Sequence, residues 1–369
     1  MRILITGANG FLGKNLAETL RAAGCHTLYE VDLETSEEAY RKAAADCEFV
    51  FHLAGVNRPK DEKEFLSGNC DALTKLLLML ESAHNPVPVM LSSSIQALLD
   101  NPYGQSKRAG EEALFAYGRK HGVPVYAFRF PNLFGKWSRP NYNSAVATFC
   151  HNIARGLPII INDPNAALRL LYVDDAVSAM LSCLDGRVPF DGEFALAAGE
   201  LSTSVGEAAS LIESFAAARR RADIPDQRDP LSKKLYATYV SFLPENDFSV
   251  PLNAHADERG SFTELLHSPE RGQVSINISK PGVTKGGHWH HTKNEKFIVV
   301  SGEAVIKLRR IGDDTVIEYR VSGEKPESVD IPAGYAHSIE NVGKSELVTV
   351  MWASECFDPD HPDTFREEV

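Results

Sequence analysis

The sequence has little of what marks secreted, membrane-spanning or nucleic-acid-binding chains. Its six cysteines (25, 47, 70, 150, 183 and 356) are scattered, with no C-x-x-C pair. Neither a disulfide framework nor a cysteine zinc cluster is expected; they read as reduced thiols, mostly small core residues. No apolar run reaches the roughly 20 residues that a membrane helix needs. Leu76-Leu-Leu-Met-Leu80 is the nearest, and it sits in a helical pattern. Positive charge is in deficit, with 38 Lys and Arg against 50 Asp and Glu for a net −12. That balance argues against nucleic acid as a partner and leaves room for a local basic pocket only. Met1-Arg-Ile-Leu-Ile5 reads as a strand and not as a secretory leader. A cytoplasmic protein without membrane or nucleic-acid partners is expected. The length of 369 residues, 43% hydrophobic and 24% charged, suits a soluble chain of two domains or three.

What is present begins at once. The strand Arg2–Thr6 runs into Gly7, Gly10 and Gly13 in the pattern G-x-x-G-x-x-G, with a helix expected over Lys14–Ala23. Glycines at these places let the backbone turn, approach a diphosphate and pack helix against strand, and the diphosphate would lie on the helix N-terminus. Asn9, Phe11 and Leu12 belong to the same cradle. A second strand, His26–Asp32, ends where an adenosine ribose would lie, so Asp32 is the candidate for its hydroxyls, with Glu30 competing. A third, Phe49–Gly55, ends with Leu53, Ala54 and Gly55 beside the cofactor; His52 reads as scaffold. Strands and helices go on alternating (helix 69–82, strand 87–92, helix 103–121, strand 123–130). Such alternation specifies a parallel sheet with helices on both faces.

The reaction chemistry concentrates in residues 92–107. Tyr103 and Lys107 lie four apart on a predicted helix and share one face. An ammonium beside a phenol favours the phenolate, so Lys107 is expected to lower the Tyr103 pKa. Ser94, at the end of the preceding strand, offers a hydrogen bond to a carbonyl oxygen. Ala109, Ala113, Leu114 and Tyr117 give this helix an apolar stripe, open either to a second copy or to the chain's own sheet. Beyond it, the polar and aromatic loop Gly135–Asn143 reads as a binding loop, with Asn132, Arg139 and Asn143 as candidates to meet a sugar or its diphosphate.

Residues 1 to about 243 resemble an extended short-chain dehydrogenase/reductase acting on nucleotide sugars. The motifs are TGANGFLG (6–13), HLAG (52–55), SSS (92–94), YGQSK (103–107), RFPN (129–132) and YVDD (172–175). The resemblance implies Tyr103 as the acid, Lys107 on the nicotinamide ribose and on Tyr103, and Ser94 on the substrate oxygen. It also implies a dimer packed through the Tyr103 helix. Ile95-Gln96 stands where the sugar 4,6-dehydratases carry Asp-Glu, so elimination chemistry is not expected; Leu168 stands where an Arg is expected.

After a boundary near Ser241–Asp247 the style changes to short strands punctuated by Gly and Pro, which reads as an antiparallel barrel or jelly roll. His288 and His290 alternate on a strand and can reach one ion together. With Glu295 and His337 they make three nitrogens and one carboxylate oxygen, a set suited to Zn2+ and also to Fe, Mn or Ni. Gly282-x5-His288-x-His290-x4-Glu295-x6-Gly302 and Pro332-x-Gly334-x2-His337-x3-Asn341 are the cupin signature, and His291 is a spare. Ahead of them, Asp257-Glu-Arg-Gly-Ser-Phe-Thr-Glu264 resembles the opening of the dTDP-4-keto-6-deoxysugar 3,5-epimerases, which makes Arg259 a substrate-binding candidate.

The fold class is therefore α/β for residues 1–243 and an all-β cupin barrel for 244–369. The combination resembles the bifunctional capsular polysaccharide enzymes of the CapF type, and it extends through HLAGVNRP, NPYGQSK, PNLFGKW and PNYNS. That resemblance implies a UDP-2-acetamido-2,6-dideoxy-hexos-4-ulose substrate. The cupin would invert carbon 3, whose hydrogen the neighbouring ketone acidifies, and the reductase would then reduce carbon 4 with NADPH. Asp32 without an adjacent Arg or Lys argues that NADH is tolerated too. A sugar 4-epimerase, a non-catalytic sugar-binding scaffold and a cupin dioxygenase fused to a reductase are the alternatives.

Overall fold

The computed structural model describes residues 1–24, 26–59, 61 and 63–369. Cys25 lies outside the described residues; Cys47, Cys70, Cys150, Cys183 and Cys356 are free thiols. The contacts divide the chain into two units, residues 1–213 with 234–244, and residues 214–233 with 245–369. Residues 214–233 thus make their contacts with the second unit, although they precede the boundary near 243.

The first unit runs β1 (Arg2–Thr6), α1 (Phe11–Ala23), β2 (Thr27–Val31), α2 (Glu37–Asp46), β3 (Phe49–His52), α3 (Lys63–Leu66), a π-helical turn (Ser67–Asp71), α4 (Ala72–Ser82), β4 (Val89–Ser94), α5 (Pro102–His121) and β5 (Val125–Phe130). There follow β6 (Asn132–Phe134), α6 (Ala145–Ile153), β7 (Ala167–Tyr172), α7 (Val173–Leu181), β8 (Phe190–Asp191), β9 (Phe194–Ala195), β10 (Leu201–Ser204), α8 (Val205–Arg220), which continues into the second unit, and α9 (Pro230–Ser241). The main sheet has the order β2-β1-β3-β4-β5-β9-β8, parallel except for β8. Its order reverses between β1 and β3, the kind of crevice in which open parallel sheets bind ligands. The centre of β1, Ile3-Leu4-Ile5, is a continuous apolar run because both of its faces are covered. Ile3 and Ile5 pack with Leu12 and Leu16 of α1, while Leu4 packs with Leu73, Leu76 and Leu80 of α4. Leu114 and Tyr117 of α5 lie in that second core. Of the apolar stripe of α5, Leu114 and Tyr117 thus pack on the chain's own sheet, while Ala109 and Ala113 are half-buried. A small sheet, β10-β7-β6, extends the loop side of the unit.

The second unit contains β11 (Ala254–Asp257), β12 (Gly260–Ser268), β13 (Gly272–Ser279), β14 (Thr284–Trp289), β15 (Glu295–Ser301), β16 (Glu303–Arg310), β17 (Val316–Ser322), β18 (Ser328–Ile331), β19 (Tyr335–Asn341), β20 (Leu347–Ala353) and β21 (Phe365–Arg366). They form two antiparallel sheets, β11-β12-β13-β20-β15-β18 and β17-β16-β19-β14-β21. Both sheets contribute to one core: Phe297, Val299, Val329 and Ile331 from the first, Ile306, Leu308 and Ile339 from the second. β13 inverts the usual alternation. Its buried side chains are Gln273, Ser275, Asn277 and Ser279, while Val274, Ile276 and Ile278 are half-buried. Among the described residues no helix is long and apolar enough to cross a membrane.

Candidate active site and metal centre

The turn after β1 has the shape that a diphosphate cradle needs. Gly7 has φ of +68°, and a Cβ on it would come within 2.8 Å of the Ala54 nitrogen; one on Gly13 would come within 2.2 Å of the Gly7 oxygen. Helix α1 starts at Gly10 with no side-chain cap and no acidic residue in its first turn. Its free N–H groups and dipole suit an anion. The Asp32 carboxylate at the end of β2 accepts from the Asn9 backbone N–H at 2.8 Å, which fixes it at the rim of this turn. Glu30, the competing acid, is held by Arg21. Leu53 to Gly55 follow β3 next to Gly7, since β1 and β3 pair in parallel. His52 is buried, its Nδ1 is 2.9 Å from Thr6 Oγ1, and burial together with the Lys107 charge pushes its pKa down to about 3.

Helix α5 is capped by Asn101, whose side chain accepts from the Gly104 N–H at 2.8 Å, with Pro102 in the first turn. It brings Tyr103 and Lys107 to the carboxyl end of β4, where Ser94 lies. The Tyr103 hydroxyl donates to Asn57 Oδ1 at 2.9 Å. An open pocket of about 300 Å³ beside it is lined by Asn57, Phe65, Gln96, Asn101, Pro102 and Asn143. Lys107 donates to the Ser92 carbonyl at 3.2 Å, and a Cβ on Gly55 would come to 3.3 Å from its Nζ. The expected lowering of Tyr103 by Lys107 is not found. Burial raises the phenol, and only a hydrogen bond with Ser94 lowers it. The physical reason is that Nζ is turned to Ser92 and lies 5.7 Å from the Tyr103 ring centroid. Burial brings Lys107 itself down to about 8, against an upward pull from Glu111. Glu111 is buried in a bidentate pair with Arg129, at 2.9 and 2.6 Å, and accepts from Ser93 at 2.5 Å.

Of the candidates for the sugar, Asn143 lines the Tyr103 pocket, and Asn132 and Arg139 lie outside its lining. Asn132 donates to the Arg169 carbonyl at 3.1 Å, and the Arg139 guanidinium lies 4.8 Å from the Tyr142 ring. Arg169 is paired with Glu200. One residue of this centre escaped the sequence reading. Asn69, in the π-helical turn, is buried, exchanges hydrogen bonds with both backbone groups of Val56 at 3.0 and 3.1 Å, and donates to Ser106 Oγ at 3.0 Å. Ser106 in turn donates to the Tyr103 carbonyl at 2.7 Å. Asn69 thus ties the segment after Gly55 to helix α5, which carries Tyr103 and Lys107.

In the second unit, strand pairing sets His288 against His337, and β15 starts with Glu295. Nitrogens of His288, His290 and His337 and an oxygen of Glu295 all lie within 4.8 Å of one another. Glu295 Oε2 is 3.0 Å from His337 Nε2 and 3.4 Å from His290 Nε2. These are ion-pair distances without hydrogen-bond alignment, since all three buried atoms lack a hydrogen-bond partner. Buried polar atoms without partners point to an absent ligand, and an N3O set converging on one point fits a divalent cation. Burial, then the charges of His337 and His290, push His288 down to about 4. Burial raises Glu295, but His290 and His337 pull it down further, to about 2. His290 is raised, its burial outweighed by Glu295 and the Asp363 carbonyl. His291 stays outside the set and stacks edge-on against Trp289 and Phe365.

A polar wall faces this cluster. Asn277, Ser275 and Gln273 on β13 stand opposite Phe262, Glu264 and His267 on β12. On their other side they stand opposite Thr349, Met351 and Ala353 on β20, which pair in turn with Val299, Phe297 and the ligand Glu295. Residues opposed in antiparallel strands share a face, so Phe262 and Glu264 of the D-x-R-G-x-F-x-E stretch and Glu295 lie on one face of this sheet. Arg259 instead pairs with Asp257 at 2.7 Å and is mostly exposed. Lys285 was also missed. Its ammonium donates to Asn277 Oδ1 at 2.7 Å and to the Ile278 carbonyl at 3.0 Å. The Gly286-Gly287 pair after it, which marks a strand irregularity, was the available signal.

Two families match. The NAD dependent epimerase/dehydratase family covers residues 3–189, and the polysaccharide biosynthesis C-terminal domain covers residues 255–365. The first family implies a nicotinamide dinucleotide, which the Gly7 turn fits. UDP-2-acetamido-2,6-beta-L-arabino-hexul-4-ose reductase of Pseudomonas aeruginosa is 44% identical over 369 residues, spanning 100% of this chain and 99% of its own. The crystal structure of the capsular polysaccharide assembling protein CapF from Staphylococcus aureus covers 100% of both chains at 48% identity, with a TM-score of 0.94. UDP-glucuronic acid 4-epimerase from Bacillus cereus shares the fold alone, with a TM-score of 0.55 at 18% identity over 66% of this chain and 99% of its own. The chain belongs to the CapF-type family, in which an NAD-dependent epimerase/dehydratase unit is joined to a polysaccharide biosynthesis C-terminal domain.

Proposed function

We propose that the chain is a bifunctional nucleotide-sugar enzyme. Its second unit inverts carbon 3 of a UDP-4-keto-6-deoxy-N-acetylhexosamine and its first unit reduces the carbon 4 ketone, on a route to capsular or O-antigen polysaccharide. The observation that carries this reading is the convergence of His288, His290, Glu295 and His337, with unpartnered donor atoms, in a different unit from Tyr103 and Lys107. One centre suits carbonyl polarisation and the other suits reduction.

In the reductase unit the Gly7 turn holds the cofactor diphosphate, Asp32 its adenosine ribose and Lys107 its nicotinamide ribose. The bound nicotinamide supplies the hydride. Ser94 and Tyr103 hold the carbon 4 oxygen, and the Tyr103 hydroxyl gives it a proton as charge develops. Asn143 borders the pocket in which the sugar would lie. NADPH is the proposed cofactor, with NADH accepted as well, because Asp32 has no Lys or Arg beside it in sequence.

In the second unit His288, His290, Glu295 and His337 would hold Zn2+ or another divalent ion, which supplies Lewis acidity toward a carbonyl oxygen. Lys285 adds a positive charge on the same face, and Arg259, released from its pair with Asp257, would meet the diphosphate of the nucleotide sugar. A homodimer is part of the proposal on family grounds, and light scattering tests it: monomer alone at micromolar concentration excludes it.

The deciding experiment follows hydrogen at carbon 3. Inversion there needs the ketone but no hydride, so deuterium from D2O enters carbon 3 without any cofactor. His290→Ala combined with His337→Ala abolishes that exchange and leaves reduction of an already inverted keto-sugar nearly intact, provided circular dichroism shows the variant folded. Exchange at the wild-type rate in the folded double variant would remove the second unit from the reaction.

A further inference from the structure

The C-terminal segment reaches the ligand cluster through one residue. Asp363 has φ of +39°, a region in which Asp and Asn are tolerated far better than other non-glycine residues. In that conformation both of its polar ends turn to the loop that follows β14. The carbonyl oxygen is 2.5 Å from His290 Nδ1. A carbonyl can only accept, so Nδ1 carries the hydrogen, which leaves Nε2 as the nitrogen available to an ion, as a metal ligand requires. The carboxylate accepts from the backbone N–H groups of His291 at 3.0 Å, Thr292 at 3.0 Å and Lys293 at 3.2 Å, and from Thr292 Oγ1 at 3.1 Å. It therefore gathers the whole turn between the ligands His290 and Glu295.

Neighbouring contacts hold Asp363 in place. Phe365 and Arg366 of β21 pair with Trp289 and His288 on β14. The Glu367 N–H donates to the Gly287 carbonyl at 3.1 Å, and Arg309 pairs with Glu367 at 2.7 Å.

We propose that Asp363 is the positioning residue of the ligand cluster, its carbonyl setting the tautomer and aim of His290 while its carboxylate fixes the His291–Lys293 turn. The inference rests on the reading that the cluster holds a divalent ion. Partners of this kind typically change metal affinity by about 10- to 100-fold.

The test uses the full chain loaded with Zn2+ or with Co2+, and the metal-free chain. Three variants are compared. Asp363→Ala loses the carboxylate and strains the backbone, Asp363→Gly loses only the carboxylate, and Asp363→Asn keeps the conformation and part of the acceptor set. Release of metal to a chelator is expected to accelerate about tenfold or more in the Ala and Gly variants, with Asn in between. The Co2+ visible spectrum should shift in the same order. In the metal-free chain, at a pH alkaline enough to keep the imidazole neutral, nitrogen NMR should show His290 as the Nδ1–H tautomer in wild type and as a mixture in the Gly variant. Wild-type release rates and tautomer in the Gly variant overturn the inference. So does a Gly variant whose metal-free melting temperature falls as far as that of its loaded form, for then the residue serves the fold and not the ion. A wild-type chain that takes up no stoichiometric ion refutes the metal reading itself, and the inference with it.

Discussion

Lys285 and His288 fall on the same face of their sheet although they stand three apart on one strand. Lys285 pairs with Ile339 and His288 with His337, and the register slips between Gly286 and His288. The bulge removes the alternation that would have sent the two side chains to opposite faces. A cation and a member of the His/Glu cluster thereby share one face of the sheet.

Under the proposed function, Lys285→Met should slow cofactor-independent deuterium entry at carbon 3 by about 100-fold or more, the scale of a lost electrostatic donor in a buried site. Metal content, measured by atomic emission, should remain at the wild-type level. Wild-type exchange would exclude the lysine from the reaction.

Tyr103→Phe should reduce hydride transfer by about 10²- to 10⁴-fold, since a proton donor is lost while the packing of the ring is kept. Carbon 3 exchange should be unchanged. Near-normal NAD(P)H oxidation by this variant would contradict the role given to the phenol.

The charge state of Lys107 is linked to folding. Burial lowers its pKa from 10.5 to about 8. Between those values the unfolded chain binds the proton that the folded chain has lost, so stability rises with pH across that window. Lys107→Met removes this contribution and leaves the titration of all other groups in place. In cofactor-free protein, wild type should therefore gain stability relative to Lys107→Met as the pH rises through that interval. A difference independent of pH in denaturant titrations would contradict the buried ammonium.

Arg129→Met would leave Glu111 buried without its partner. Loss of one member of a buried pair typically costs about 3–5 kcal/mol. A urea titration should show a loss of that order, and adding Glu111→Leu should recover much of it. A loss below about 1 kcal/mol would mean that the Ser93 hydroxyl satisfies the carboxylate alone.

Asp32 makes cofactor choice measurable. With its carboxylate fixed by the Asn9 N–H, kcat/KM for NADH should fall within about a thousandfold of that for NADPH. A wider gap would show that Asp32 does not face the ribose.

What the sequence revealed was local or periodic. The glycine turn, Tyr103 with Lys107, and the two motifs that carry His288, His290, Glu295 and His337 each hold their spacing in a short stretch. What stayed hidden depends on partners far apart in the chain. Asn69 acts through Val56 and Ser106, and nothing around it announces that. The alternation of β13 was legible but its sense was not, because a strand of polar and apolar residues in turn does not say which set is buried; here Gln273, Ser275, Asn277 and Ser279 are. The apolar stripe of α5 was legible too, yet only the packing of Leu114 and Tyr117 shows which surface it meets. The effect of Lys107 on Tyr103 depended on a side-chain direction that Ser92 decides.

The π-helical turn at Ser67–Asp71 makes this stretch sensitive to length more than to composition. A π-turn holds one residue more than the α-helical turn it replaces. Deleting a single exposed position there would let the helix run on as regular α, and it would swing Asn69 about a quarter-turn away from Val56 and Ser106. Helix α5 would lose its tie to the segment after Gly55 with neither Tyr103 nor Lys107 altered. A one-residue deletion, harmless in most surface turns, would here act on the reaction as an active-site mutation does.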